Sequence, residues 1–240
     1  MTEDHMPENK LKQEFEVLGH FYSIEIPGIG LQQCRDTLEI RSRTGFESGL
    51  PDAVFVMMNP GSSKPISGRY DLLTLDEIAK TKSELIQAEP DTTQYQAMRV
   101  MHCSGWKHVR VINLSDLHET SSGDFIKRYK SLEGQHGIIS HSVFSPSRSH
   151  QLRRHTSRKA GAPIILAWGV STGLNGLTTR AINALADESG VVGWVRDGSR
   201  TRYYHPLPRP LYKQTIWVEK ILNILSGNNP PTMPQPVDLD

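Results

Sequence analysis

The stretch AVFVMMNPGSS, residues 53–63, decides how this chain is read. Its first six residues are an unbroken apolar run, the pattern of a strand buried on both faces of a sheet. Asn59-Pro60-Gly61-Ser62-Ser63 then forces a sharp exit, because Pro60 fixes its own φ and Gly61 admits a positive one. Two later segments share this build. VRVINL at 109–114 runs into Ser115-Asp116, and IILAW at 164–168 closes at Gly169.

Helical spacing separates these strands. It predicts helices at 74–88, 94–103, 125–132, 148–159 and 177–186. A last helix at 213–225 carries Ile216, Trp217, Ile221, Leu222 and Leu225 on one side. Short strands are expected at 191–195 and 202–204. Upstream, the alternating stretches 15–26 and 31–43 flank Pro27-Gly28-Ile29-Gly30 and read as a β-hairpin. The expected fold is α/β in three layers: a mostly parallel central sheet with helices on both faces, preceded by an N-terminal β-hairpin. Residues 1–14 are expected to be a flexible tail, 15–226 a single domain, and 227–240, with four prolines, a disordered tail.

Composition narrows the classes. The 240 residues are 37% hydrophobic, enough for one good core. No run of about eighteen apolar residues exists, so no membrane span is expected. The polar N-terminus lacks the apolar centre of a secretion signal, and two cysteines are too few for a disulfide or zinc framework. A cytoplasmic setting, no metal, no cofactor and a monomer are the expectations. Net charge is +1, so any nucleic-acid footprint must be local. One basic cluster runs from Arg148 to Lys159. A second comprises Arg196, Arg200, Arg202, Arg209 and Lys213. Either run alone reads first as a solvated surface, and the second gains weight because it surrounds the loop at 205–209.

Ligands of parallel sheets bind beyond the carboxyl ends of the strands. That rule selects the loops at 59–63, 113–116, 168–169 and 205–209. The Asn59 amide can orient a water, although Asn-Pro turns also occur without function. Gly61, Ser62 and Ser63 offer N–H groups and hydroxyls to a phosphate, with Lys64 beside them. Two prolines stiffen the loop that carries His205, which suits a donor that meets developing charge without reorganising. The Asn113 amide has the donors and acceptor that match a pyrimidine edge, or it caps the next loop.

Taken together these segments resemble the uracil-DNA glycosylase superfamily. Met57-Met58-Asn59-Pro60-Gly61 matches its first motif, Val111-Ile112-Asn113 its strand ending in Asn, and Ala167-Trp168-Gly169 its strand ending in Trp-Gly. His205-Pro206-Leu207-Pro208-Arg209 matches its late motif, with Arg209 at the position that wedges into DNA. The order is the family's, over residues 53–210. The layout also resembles a bacterial domain family of unknown function with M-L-N-P-S, N-L-F, W-G and H-P-L motifs. Met57 stands where the family usually has glycine, so the pocket is expected to differ in shape, and Leu207 stands where it has serine, which removes a possible phosphate contact.

The resemblance implies a monofunctional DNA glycosylase that leaves an abasic site in DNA. Uracil is the default base, and the Met57 departure leaves room for a modified cytosine such as those of bacteriophage DNA. In this scheme Asn59 holds the attacking water and His205 donates to the departing base. Asn113 and Met57 contact that base, Tyr70 stacks on it or belongs to the core, and Arg209 fills the space it vacates. Asp116 is a second acid or base, or a cap. Two rivals remain: a nucleic-acid or nucleotide binding module that has lost catalysis, and a small-molecule hydrolase or transferase on a similar sheet. Gly-x-Ser-x-Gly, Walker-A and the Gly-rich dinucleotide fingerprint are all absent.

Overall fold

The structure is a computed structural model that describes residues 6–82, 84–208 and 212–227. The chain opens with helix α1 (Glu8–Glu14) and the hairpin β1 (Phe15–Ile26) and β2 (Gly30–Ser42). Then come β3 (Ala53–Met57), β4 (Lys64–Pro65), β5 (Asp71–Leu73), α2 (Leu75–Ile78), β6 (Ile86–Glu89) and α3 (Thr92–Ser104). The second half holds β7 (His108–Asn113), α4 (Ser122–His136), α5 (Ser149–Thr156), β8 (Ile164–Leu166), α6 (Asn175–Ala184), β9 (Val191–Val192) and α7 (Tyr212–Leu225).

Nine strands, among the described residues, form one mixed sheet in the order β4-β6-β1-β2-β7-β3-β8-β9, with β5 added beside β1. β3 lies at the centre of its parallel block, in register with β7 on one side and β8 on the other. β9 extends that block beyond β8. The hairpin joins it antiparallel through β2 and β7, Leu38 opposite Val111. Alternation in β3 divides the core: Val54 and Val56 pack on one face, Ala53, Phe55 and Met57 on the other. The first face is covered by α4, α5 and α6 through Phe125, Leu132, Leu152, Leu177 and Ile182. The second is covered by α1, α3 and α7 through Leu11, Met98, Met101, Trp217 and Ile221. Burying each such side chain stabilises the fold by about 1.5–3 kcal/mol. The three-layer reading and the hairpin therefore hold.

Three segments differ from the sequence reading. Residues 8–14 form helix α1 where a flexible tail was expected. Its single apolar residue, Leu11, is fully buried, and Glu14 meets His102 at 2.8 Å. One leucine among polar neighbours leaves no periodicity to read. The span 74–88 is not one helix. Thr74 caps the single turn of α2 through a capping box with Glu77, and the chain then enters β6. There Ile86 pairs with Gly19, Ala88 is buried, and Gln87 and Glu89 are exposed. Alternation and a sheet edge to cover outweigh the helical spacing. The predicted strand at 202–204 is reduced to bridges from Tyr203 to Gly169 and Val195. Most of the predicted tail 227–240 lies outside the described residues.

Candidate active site

The carboxyl ends of β3, β7 and β8 open onto one cleft of about 760 Å³. Met57 to Ser62 enter it after β3, Glu119 to Ser122 after β7, and Trp168 to Ser171 after β8. His205 and Leu207 close one side, and Asp91 to Gln94, at the start of α3, line another. Asn59 and His205 therefore share one cavity, although 146 positions of sequence, by their numbers, separate them.

Asn59 is held by its amide nitrogen. Nδ2 donates to the Leu117 carbonyl at 3.5 Å and to the Glu119 carbonyl. Both N–H bonds are thereby committed, and Oδ1 is the acceptor left for a water.

His205 is fixed by its own loop. Nδ1 accepts the Leu207 N–H at 3.1 Å, which places the proton of the neutral ring on Nε2. Burial pushes the imidazole down to about 4. It is thus a neutral donor at physiological pH. The loop is tethered from two helices. Gln96 of α3 donates to the Pro206 carbonyl at 3.0 Å, and Trp217 of α7 donates to the Tyr204 carbonyl at 2.9 Å. Trp168 adds a bond to the Thr201 carbonyl at 2.8 Å, and Gly169 one to Tyr203.

Asp91 is a cleft residue that the sequence reading missed. Its Oδ1 caps α3 by accepting the Thr93 and Gln94 N–H groups at 3.0 and 3.1 Å. Burial nevertheless pushes its carboxyl above the ordinary value. The Asp91-x-x-Gln94 spacing is a capping box, the one sequence signal that could have placed it.

Other expected site residues divide. Met57, Gly61 and Ser62 line the cleft. Ser63 is buried and its carbonyl accepts from His118 Nε2. Lys64 is exposed and meets Glu89 at 3.5 Å. Asn113 is fully buried and does not line the cleft. Its amide donates to the Asn59 carbonyl at 3.1 Å and accepts from Arg35 Nη2 at 3.2 Å. Buried behind the lining, this amide holds the Asn59 backbone and Arg35 rather than facing the cleft. Tyr70 likewise stands off the cleft, edge-on to Phe21 at 5.8 Å, so it is a packing residue. Asp116 is neither base nor cap. It is fully buried, with Arg148 and the Tyr22 hydroxyl each 2.6 Å from Oδ2. Arg209 lies outside the described residues.

The basic clusters also separate. In the first, Arg148 is buried, Arg158 pairs with Glu188 at 2.8 Å and Lys159 with Asp52 at 2.6 Å. Those charges serve the fold. In the second, Arg196 and Arg200 are exposed on the turn that leads back to Tyr203, next to Gly169 at the cleft. Among the described residues no group of His, Cys, Asp or Glu is arranged to hold a metal, and no helix is long and apolar enough to cross a membrane. Comparisons of the chain with family models, with curated proteins and with solved structures found no match.

Proposed function

We propose that this cleft hydrolyses the N-glycosidic bond of a nucleotide flipped out of DNA. The observation that carries the reading is the pairing, in one cavity, of the Asn59 amide and a neutral His205 whose proton is on Nε2. N-glycoside hydrolysis needs a positioned water on one side and a donor for the leaving base on the other. The water oxygen bonds to the sugar carbon as the carbon–nitrogen bond breaks. The electron pair leaves with the base, whose negative charge His205 Nε2–H meets, and the water's surplus proton passes to solvent. One such donor is worth roughly 3–4 kcal/mol of barrier. Met58 and Leu207, both half-buried, supply apolar surface for a planar ring. Exposed Arg196 and Arg200, on the turn that leads back to Tyr203, suit a phosphodiester backbone. The motif resemblance supports the same reading.

The test is base release. Oligonucleotides bearing uracil or modified cytosines, and natural DNAs including those of phages with modified pyrimidines, are incubated with the protein and the freed bases weighed by mass spectrometry. We expect a free base and an abasic site, with Asn59→Ala and His205→Ala each slower by about 10²–10³-fold. Release that survives both substitutions, or no release from any DNA, overturns the reading.

A further inference from the structure

Arg35 reaches the cleft from β2, outside every loop that the strand-end rule selected. Its side chain is almost wholly enclosed, 1% exposed, yet it forms part of the cleft lining. Nη2 donates to Asn113 Oδ1 at 3.2 Å. Among the described residues, Nε and Nη1 have no hydrogen-bond partner. Asp91 and Asp116 act on the guanidinium through their charge, but neither accepts a hydrogen bond from those two nitrogens. A buried cation with unspent donors is costly, and the cleft is where an acceptor can come from.

The surroundings restrict that acceptor. Asp91 and Glu119 line the same cleft, so a dianionic phosphate placed there meets two carboxyl groups and a single buried cation. A keto oxygen on a neutral ring does not meet that repulsion. When the glycosidic bond breaks, its negative charge spreads onto such an oxygen, next to a guanidinium that needs no reorganisation. Arg35 is also linked to the catalytic loop: it holds Asn113, which holds the backbone of Asn59.

We infer that Arg35 is the specificity-determining residue of the cleft, donating to a keto oxygen of the bound base and transmitting its occupancy through Asn113 to Asn59. The inference rests on the glycosylase reading and names the group that selects its substrate.

The experiment observes the Arg35 Nε–H signal of the full-length protein by NMR. Uracil, cytosine and hypoxanthine are titrated as keto bases, with adenine and inorganic phosphate as controls. We expect at least one keto base to shift that signal and slow its exchange with water, while adenine and phosphate do neither. R35K, which keeps the charge and loses the fork of donors, is expected to bind that base at least tenfold more weakly. Should R35K fail to fold, the wild-type signal still decides. An unresponsive signal with every keto base, an equal response to adenine, or a response to phosphate alone overturns the inference. Base release without an Arg35 response removes this inference and leaves the reaction. An Arg35 response without base release does the reverse.

Discussion

Gly61 and Asp91 meet so closely that a Cβ on the glycine would stand 2.5 Å from the Asp91 Oδ2. The contact joins the loop after β3 to the start of α3, two of the walls of the cleft.

Gly61 also has a φ of +66°, in the left-handed region that a side chain disfavours. Gly61→Ala is therefore expected to destabilise the protein by about 1–3 kcal/mol from backbone strain, before the displaced Asp91 is counted. Urea denaturation reads this directly. A variant as stable as the parent shows that the loop relaxes freely.

The tautomer of His205 yields a pH prediction. Its folded value of about 4 lies below the ordinary 6.5, so the unfolded chain binds the extra proton first as pH falls. The stability due to this group is complete above pH 6.5 and is lost as pH falls toward 4. His118, also held at about 4 by burial, acts in the same direction. Urea midpoints should fall across that window, and less steeply in His205→Asn. Base release should show no inflection near pH 6.5 from His205. An inflection there that vanishes in His205→Asn contradicts a neutral donor.

Gln96 tests whether the loop must be held. It is 1% exposed and gives its amide hydrogens to the Pro206 and Gln214 carbonyls, each at 3.0 Å. Gln96→Ala removes these bonds at a cost of about 1–3 kcal/mol in stability. We expect base release to drop at least tenfold at saturating substrate, with substrate binding little changed. Loss of binding with an intact maximal rate would assign the tether to recognition.

The Arg148–Asp116 pair is an ionic contact sealed in the core. Both side chains are fully buried and 2.6 Å apart. Arg148→Met leaves the Asp116 carboxylate with the Tyr22 hydroxyl alone and should cost about 3–5 kcal/mol. Replacing both members, Arg148→Met with Asp116→Leu, should recover part of that loss. Thermal melts of the two variants check the order. A double variant no more stable than the single one would mean that the wider network around Gln151 and Asp36, not the pair, sets the cost.

Much of the scaffold was legible because its signals are local. The apolar run at 53–57 and the turn at Asn59-Pro60-Gly61 announce β3 and its exit, and the hairpin bounds fall within one residue of those expected. The site was legible where it follows strand ends: Met57, Asn59, Gly61, Ser62 and His205 all reach the cleft. Asn113 misled because residue type and strand position do not tell an amide facing the cleft from one spent on Asn59 and Arg35. Arg35 was invisible for a related reason. Within GLQQCRDTLEIRS polar and apolar residues carry no clean alternation, since both faces of β2 are buried. Only the approach of other elements decides what an arginine there will meet.

The tethers on the turn around His205 separate chemistry from shape. Its imidazole takes its place from α3 and α7, whereas most of the cleft lining comes from the loops after β3, β7 and β8. Those loops can be remodelled without relocating the His205 imidazole. Divergence in this scaffold should therefore accumulate at Met57, Met58 and the residues near Ser121, while Gln96 and Trp217 stay constant as the anchors of that turn.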